Sequence, residues 1–206
     1  MRPVGPLLVL TDRRLAVRPL PDVVAAAVQG GARTVVLREK DLPDDERARL
    51  ADAMRALLEP VDGLLVVAGG GLPGPAVHLA AAEAVPVPRP VRVGRSCHDA
   101  GEVARAGAEG CDWVTVSPVL PTPSKPGYGP ALGLPWLAAL AAVPGAPPGY
   151  ALGGVTEADV RGCLSAGAAG VAVMGAVMRD PHPDRRVAAL LAELDPVPVP
   201  TKEPAA

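Results

Sequence analysis

The chain has 206 residues, 49% of them hydrophobic, and a formal net charge of −2 at pH 7. This length and composition predict one domain with a full hydrophobic core, and the scattered charges leave no basic face for nucleic acid, which favours a small molecule as the partner. The apolar stretches are too short for a membrane span and the N-terminus lacks a signal-peptide pattern, so we expect no membrane contact and a cytoplasmic location.

Apolar runs of strand length recur along the whole chain. Most are continuous rather than alternating, which is typical of parallel strands buried on both faces. We predict eight strands, at Leu7–Thr11, Thr34–Arg38, Gly63–Ala68, Ala76–Leu79, Val91–Ser96, Trp113–Ser117, Tyr150–Leu152 and Gly170–Met174.

Helical patterns separate most of these strands. Asp99 and Thr156 stand at expected N-cap positions, and glycines at 30–31, 107 and 167 are expected to end helices. The span 69–75 is too short for an ordinary helix, so we expect one crossover there to be a loop. The predicted helices are Pro21–Gln29, Pro43–Leu58, Ala100–Ala106, Leu134–Ala142, Glu157–Ala166 and Pro181–Leu194.

This alternation predicts an α/β fold with a parallel sheet. Eight strand–helix units favour a closed (β/α)8 TIM barrel in residues 1–195, a single domain with a shortened connection after strand three. An open doubly wound sheet is the alternative. Residues 196–206 are rich in proline and lack apolar periodicity, which predicts a disordered tail.

The three cysteines, Cys97, Cys111 and Cys163, form no Cys-x-x-Cys pair and are odd in number. This pattern indicates neither a metal site nor a disulfide framework, and we expect reduced thiols and no metal.

Two late strand-to-helix junctions predict a phosphate site. Gly153 and Gly154 follow strand seven, and Met174 and Gly175 follow strand eight. Glycine lets backbone N–H groups approach an anion closely, and these two loops commonly bind phosphate in a (β/α)8 barrel. The alternative is that the glycines only close a tight turn.

Polar residues close several other strands. Arg38 and Lys40 point the same way if strand two persists, which suits an anion, although a solvated strand end gives the same pattern. His98 follows strand five and is the candidate acid/base, unless it merely binds backbone. Cys97 is a weaker candidate, as a nucleophile, and His78 closes strand four either at the mouth or in the core.

The loop after strand six carries Thr122, Ser124 and Lys125 among prolines. Hydroxyl donors and a positive charge on a stiffened segment suit an anion clamp or a lid. A Pro-rich surface loop is the alternative.

Six segments in this order resemble the thiamine phosphate synthase/TenI superfamily, over almost the whole chain. Each segment alone is modest, but their order and spacing are specific, and the resemblance implies a (β/α)8 barrel. The segments are Val36–Lys40, Ala76–Leu79, Gly94–Asp99, Ser117–Lys125, Ala151–Thr156 and Gly167–Met174.

For a synthase, the resemblance implies a magnesium-assisted attack of a thiazole phosphate on a hydroxymethylpyrimidine pyrophosphate, with release of pyrophosphate. The thiazole phosphate would lie at Gly153, Gly154 and the Met174–Gly175 turn. The pyrophosphate would be held by Arg38, Lys40, Ser96, Thr122, Ser124 and Lys125.

Departures from the synthase pattern cluster near strands two and three. Val36 replaces the usual Gln, and Ala68-Gly69 replaces Asn-Asp. Glu83 falls near the second metal-binding acid of the family, but Mg²⁺ prefers oxygen ligands and Gly69 offers no carboxylate.

These losses favour a TenI-like thiazole tautomerase, an isomerase that binds a thiazole phosphate without metal and uses His98 for proton transfer. Lys125 is the second candidate catalytic residue, for its positive charge. A divergent, Mg²⁺-dependent thiamine phosphate synthase is the main alternative. A silent phosphate-ligand binder or regulator is a third, and a homodimer is compatible with all three.

Overall fold

The computed structural model describes residues 4–72, 74–121 and 131–195, which contain a closed barrel of eight parallel strands in sequence order. This arrangement confirms the predicted (β/α)8 barrel and excludes the open sheet. The strands are β1 Leu7–Leu10, β2 Thr34–Leu37, β3 Leu64–Ala68, β4 Ala76–Leu79, β5 Arg92–Cys97, β6 Trp113–Val116, β7 Gly149–Leu152 and β8 Gly170–Val173.

The helices agree with the predicted ones to within two residues at each end. The structure adds a four-residue helix after β8 and a 3₁₀ turn at Glu59–Val61, neither of which we predicted. The helices are α1 Leu20–Gln29, α2 Asp44–Leu58, α3 Ala100–Ala108, α4 Gly133–Ala141, α5 Glu157–Ser165, α6 Gly175–Met178 and α7 Pro183–Leu194. The predicted tail, 196–206, lies outside the described residues and remains a prediction.

Each strand sends alternate side chains to opposite sides of the barrel wall. Outward residues such as Val9, Val35 and Val171 pack under the helices in one large cluster. Inward residues such as Leu8 and Trp113 form a second, smaller cluster that fills the barrel. Both faces of the wall are therefore apolar, which explains the continuous hydrophobic runs in the sequence.

The barrel interior depends on one close contact between β5 and β6. Trp113 is fully buried, and a Cβ added at Gly94 would lie 2.0 Å from its indole ring. Gly94 therefore provides the space that the indole fills inside the barrel.

The helix termini agree with the predicted caps at all but one position. Asp99 accepts a hydrogen bond from the Glu102 amide, 2.8 Å long, and Thr156 forms a capping box with Asp159. Gly31 and Gly167 have φ values of 107° and 91°. The prediction for position 107 was wrong, because that glycine lies inside α3; Gly110, with φ 67°, takes the left-handed turn instead.

Two crossovers lack a helix in the described residues: the one after β3, which we expected to be a loop, and the one after β4, for which we predicted no helix. Residues 69–72 and 74–75 between β3 and β4, and residues 80–91 between β4 and β5, form only turns and irregular loops. Arg95, 1% exposed, donates to the carbonyls of Ala80, Ala81 and Glu83 at 3.1, 3.0 and 2.7 Å. A buried guanidinium thus satisfies backbone carbonyls in a loop that has no helix of its own.

Within the described part of the chain, no helix combines the length and the hydrophobicity that a membrane span requires.

Candidate functional site

The C-terminal ends of the strands surround the barrel mouth, and β2 brings the first charged groups there. The Arg38 amide donates to Thr11 Oγ1 at 3.0 Å, and its guanidinium lies against Thr11 O and the Met174 sulfur. Arg38 therefore bridges the ends of β1, β2 and β8.

Lys40 also lies at the mouth, although β2 does not extend as far as this residue. The strand ends at Leu37, and a tight turn follows in which the Lys40 amide donates to Arg38 O at 2.5 Å. The side-chain ammonium then reaches Glu83 Oε2 at 3.3 Å. Glu39, between the two cations, is buried and accepts hydrogen bonds from the amide and guanidinium of Arg13.

The Glu83 carboxylate joins the two helix-less crossovers. Its Oε1 accepts the Gly70 amide at 2.8 Å, and its Oε2 accepts the Ala80 amide at 3.0 Å as well as the Lys40 ammonium. Burial acts to raise the pKa of Glu83, but the two amides and the Lys40 charge outweigh it and lower that pKa. The carboxylate is therefore ionised and fixed in position.

His78 points into the barrel just below the mouth. Its Nε2 lies 3.1 Å from both Ser96 Oγ and Thr115 Oγ1, and its ring stacks on Trp113 at a centroid distance of 6.0 Å. Burial, with the charges of Lys40 and Arg38, lowers the pKa of His78 to about 3. The imidazole is therefore neutral, and its Nδ1 has no hydrogen-bond partner among the described residues.

Ser96 is brought into the site by this histidine. Its hydroxyl lies on β5, half-buried, at the level where the barrel opens. Position 96 thus contributes a hydroxyl to the same side of the mouth as Lys40 and Glu83.

His98 sits in the turn between β5 and α3 and is half-buried. Its Nδ1 lies 2.7 Å from Ser117 O, so this nitrogen carries a proton and donates it to the carbonyl. In the neutral ring, Nε2 is then the unprotonated nitrogen, able to accept a proton. The predicted backbone contact and the predicted acid/base role are therefore compatible.

Cys97 does not face the mouth. It is fully buried on the helix side of β5, and burial raises its pKa to about 12. The nucleophile hypothesis for this residue was therefore wrong. All three cysteines are buried and free.

The glycine turns after β7 and β8 leave backbone amides available. Gly153 and Gly154 have φ values of 97° and 72°, and no group in the described residues accepts a hydrogen bond from either amide. Gly175 starts α6, where the first N–H groups have no intrahelical acceptor. Three backbone donors thus follow the neighbouring strands β7 and β8. Met174, just before Gly175, contacts Arg38.

The same glycines hold the loop that follows β6. Val119 and Leu120 donate to the carbonyls of Leu152 and Gly153 at 2.9 and 3.0 Å, and a Cβ at Gly154 would lie 2.4 Å from Pro121 O. The glycines are therefore required for packing in a tight turn, as the alternative interpretation predicted. A phosphate site at the same turn stays a prediction. Thr122, Ser124 and Lys125, predicted in this loop, lie outside the described residues.

The described residues do not fit a magnesium site. They contain no group of three His, Cys, Asp or Glu side chains arranged to hold a metal ion. At the end of β3, Ala68 and Gly69 offer no side-chain oxygen, and both Glu83 oxygens already accept hydrogen bonds.

Comparison with known proteins confirms the family resemblance of the sequence. A family model described as "Thiamine monophosphate synthase" matches residues 7–177. The chain belongs to this family. A putative thiamine-phosphate synthase of Geobacter sulfurreducens is 42% identical, over 92% of this chain and 94% of that protein. A thiamine-phosphate synthase of a Roseiflexus species is 36% identical, over 91% and 84%.

Solved structures of the family share the barrel. Thiamine phosphate pyrophosphorylase from Pyrococcus furiosus superposes with a TM-score of 0.79 and 26% identity, over 91% of this chain and 94% of that one. The chain is therefore a thiamine-biosynthesis family member with the family fold.

Sequence reasoning missed the side chains that support the β2–β4 side of the mouth. Arg47, buried on α2, donates to Ala68 O, and Arg95 holds the loop that carries Glu83. The available signal was the arginine at position 95, within a predicted strand, where a charged side chain needs polar partners.

Proposed function

We propose that this chain is a thiamine phosphate synthase, a transferase that joins a thiazole phosphate to hydroxymethylpyrimidine pyrophosphate and releases pyrophosphate. The observation that carries the proposal is the presence of two separate groups of anion-binding donors at one barrel mouth. Two phosphate-bearing substrates need both groups, whereas a tautomerase needs one. The names of the curated relatives support the same reaction.

The first group would hold the phosphate monoester of the thiazole. The free amides of Gly153, Gly154 and Gly175 supply hydrogen-bond donors without a formal charge. Such donors fix an anion in position without the conformational entropy cost of ordering long side chains.

The second group would hold the pyrophosphate of the other substrate. Arg38 and Lys40 supply positive charge, and Ser96 supplies a hydroxyl. As the thiazole nitrogen forms its bond to the pyrimidine methylene carbon, the bond from that carbon to pyrophosphate breaks and its electron pair goes to the leaving oxygen. Fixed cations near that oxygen stabilise the charge that develops there. Thr122, Ser124 and Lys125 remain proposed members of this group.

The proposal is tested by incubating the purified protein with both substrates and measuring thiamine phosphate by chromatography and pyrophosphate by a coupled assay. Arg38→Ala is expected to lower kcat/KM by about 100-fold, because a charge-assisted contact to the leaving group is lost. Arg49→Ala is the matched control, since that exposed arginine pairs with Asp45 on α2. Absence of coupling by the unaltered protein would reject the proposal.

A thiazole tautomerase is the second candidate, and the His98 geometry favours it. A ring whose Nδ1 is bound to a carbonyl presents Nε2 as a base, which suits a proton shift. We expect His98→Ala to abolish aromatisation of a thiazole carboxylate phosphate while its binding is retained, and His182→Ala, at an exposed position, to change neither. Aromatisation followed by NMR, without coupling activity, would favour this candidate over the synthase.

If neither reaction occurs and a thiazole phosphate still binds, the chain is a phosphate-ligand binder. In each case the partner is a small molecule, and we propose that the protein acts in the cytoplasm, where biosynthetic enzymes of this kind find their substrates.

A further inference from the structure

Two side chains from neighbouring loops, Lys40 after β2 and Glu83 after β4, lie against the position that follows β3. Gly69 has a φ of 75°, and a Cβ added there would lie 2.9 Å from Lys40 Nζ and 3.1 Å from Glu83 Oε1. Any side chain at position 69 would therefore enter the space that the Lys40–Glu83 ion pair fills. A metal-binding carboxylate at position 69, which the family resemblance implies, would therefore require the Lys40 side chain to move away from Glu83.

The ion pair is held rigidly from the carboxylate side. Glu83 accepts two backbone amides, and Arg95 fixes the carbonyl of Glu83 itself at 2.7 Å. The ammonium has three N–H donors, and one contact, to Glu83, is made within the described residues. The Lys40 side chain is 47% exposed, so its remaining donors are accessible to a ligand.

The field of this ammonium reaches the interior of the mouth. After burial, Lys40 is the largest influence that lowers the pKa of His78, ahead of Arg38. His78 in turn contacts the Ser96 hydroxyl at 3.1 Å. One positive charge, anchored at its back by a carboxylate, thus acts on the region proposed for pyrophosphate.

We propose that the Lys40 ammonium, positioned by Glu83, takes the place of a protein-bound divalent cation at the pyrophosphate group. This inference rests on the proposed function. In the coupling reaction, the Lys40 N–H donates to the leaving pyrophosphate oxygen while the carbon–oxygen bond breaks. The described residues contribute no metal ligand to this step, and Glu83 acts as a positioning residue.

The first test is binding of inorganic pyrophosphate by calorimetry, with EDTA and then with Mg²⁺. We expect the unaltered protein to bind in EDTA, Lys40→Met to bind at least about tenfold more weakly, and Lys40→Arg to stay within about threefold. Arg49→Met, which removes an exposed cation elsewhere, is expected to leave binding unchanged. A requirement for Mg²⁺ in the unaltered protein would overturn the proposal.

The second test measures Mn²⁺ directly by electron paramagnetic resonance, in the absence of substrate. We expect the signal of free Mn²⁺ to be the same with the unaltered protein as with the Glu83→Gln variant, because neither binds the ion. Mn²⁺ that binds the unaltered protein but not the Glu83→Gln variant would identify Glu83 as a metal ligand. That result would reject the proposal that Lys40 takes the place of the cation.

Neither test uses turnover, so their failure is distinct from failure of the synthase proposal. Coupling activity that depends on Mg²⁺ would keep the proposed function and reject the role of Lys40. Metal-free binding of pyrophosphate that depends on Lys40, without coupling, would reject the synthase and keep the anion site.

Discussion

The two sides of the barrel mouth offer hydrogen-bond donors of different kinds. The β7–β8 side offers backbone amides of glycines, whereas the β2–β4 side offers the side chains of Arg38 and Lys40. Of these two cations, Lys40 is paired with Glu83. An amide site is set by φ values and by close packing, so a change of side chain must distort the backbone to alter it. A side-chain site changes by single substitutions that leave the barrel intact.

The departures from the family pattern follow this division. Val36 and Ala68-Gly69 lie on the β2–β4 side, where both crossovers also lack helices in the described residues. The glycines of the β7–β8 side also hold the loop after β6, so the packing of the barrel mouth depends on them.

Gly154→Ala is expected to give the largest effect and to break the amide side. Its φ is 72° and the added Cβ would lie 2.4 Å from Pro121 O, so strain and overlap together cost about 3 kcal/mol. Gly145→Ala is the control, because its φ is 74° with nothing within 4 Å, and it should cost about 1 kcal/mol. Equal unfolding free energies of the two variants in urea would contradict this account.

Acid should weaken the fold through His78, which lies below the side-chain half of the mouth. Its pKa falls from 6.5 to about 3 on folding, so the unfolded chain binds more protons between those values. Stability is therefore lost as pH falls through this window, by at most about 1.4 kcal/mol per pH unit.

The pH dependence is isolated by comparing variants between pH 6.5 and pH 5, above most carboxylate titrations. The slope of the unfolding free energy should flatten in His78→Asn and persist in His182→Asn, since His182 is exposed. A slope unchanged in His78→Asn would mean that another group titrates.

Asp99→Ala should have a smaller effect, on the turn that carries His98. Loss of the cap to the Glu102 amide should lower the unfolding free energy by about 1 kcal/mol. Asp52→Ala, an exposed aspartate within α2, should change it by less than about 0.5 kcal/mol. Similar losses in both variants would show that the cap is not the cause.

Cys97→Ala should have the smallest effect on activity. The thiol is fully buried on the helix side of the wall and belongs to neither side of the mouth. We expect kcat/KM in the coupling assay to stay within about twofold, whatever the loss of stability. A drop of 100-fold at unchanged folding would restore the nucleophile hypothesis.

The architecture was predictable because the wall of the barrel repeats one simple pattern. Continuous apolar runs and capping residues such as Asp99 and Thr156 predicted each strand and nearly every long helix end. Short elements such as α6 were missed because a single turn lacks a periodic signal. Position 107 was misassigned because Gly110, three residues later, is the glycine that ends the helix.

The candidate site was predictable for residues at the ends of strands. It was less predictable for contacts between residues that are far apart in the sequence. Arg38, His98 and the glycine turns follow from their positions at the ends of strands. The pairing of Lys40 with Glu83 spans 43 residues, and no local pattern indicates it. The support from Arg47 and Arg95 likewise depends on loops whose path is set by tertiary structure.

The contact between Trp113 and Gly94 limits the depth to which any ligand can enter. The indole occupies the bore of the barrel, with His78 stacked on it at 6.0 Å, so this bore is solid below the strand ends. A ligand at the mouth must therefore lie above the His78 and Trp113 rings. Selectivity is therefore a property of the rim, and a larger substrate would have to extend outward into solvent.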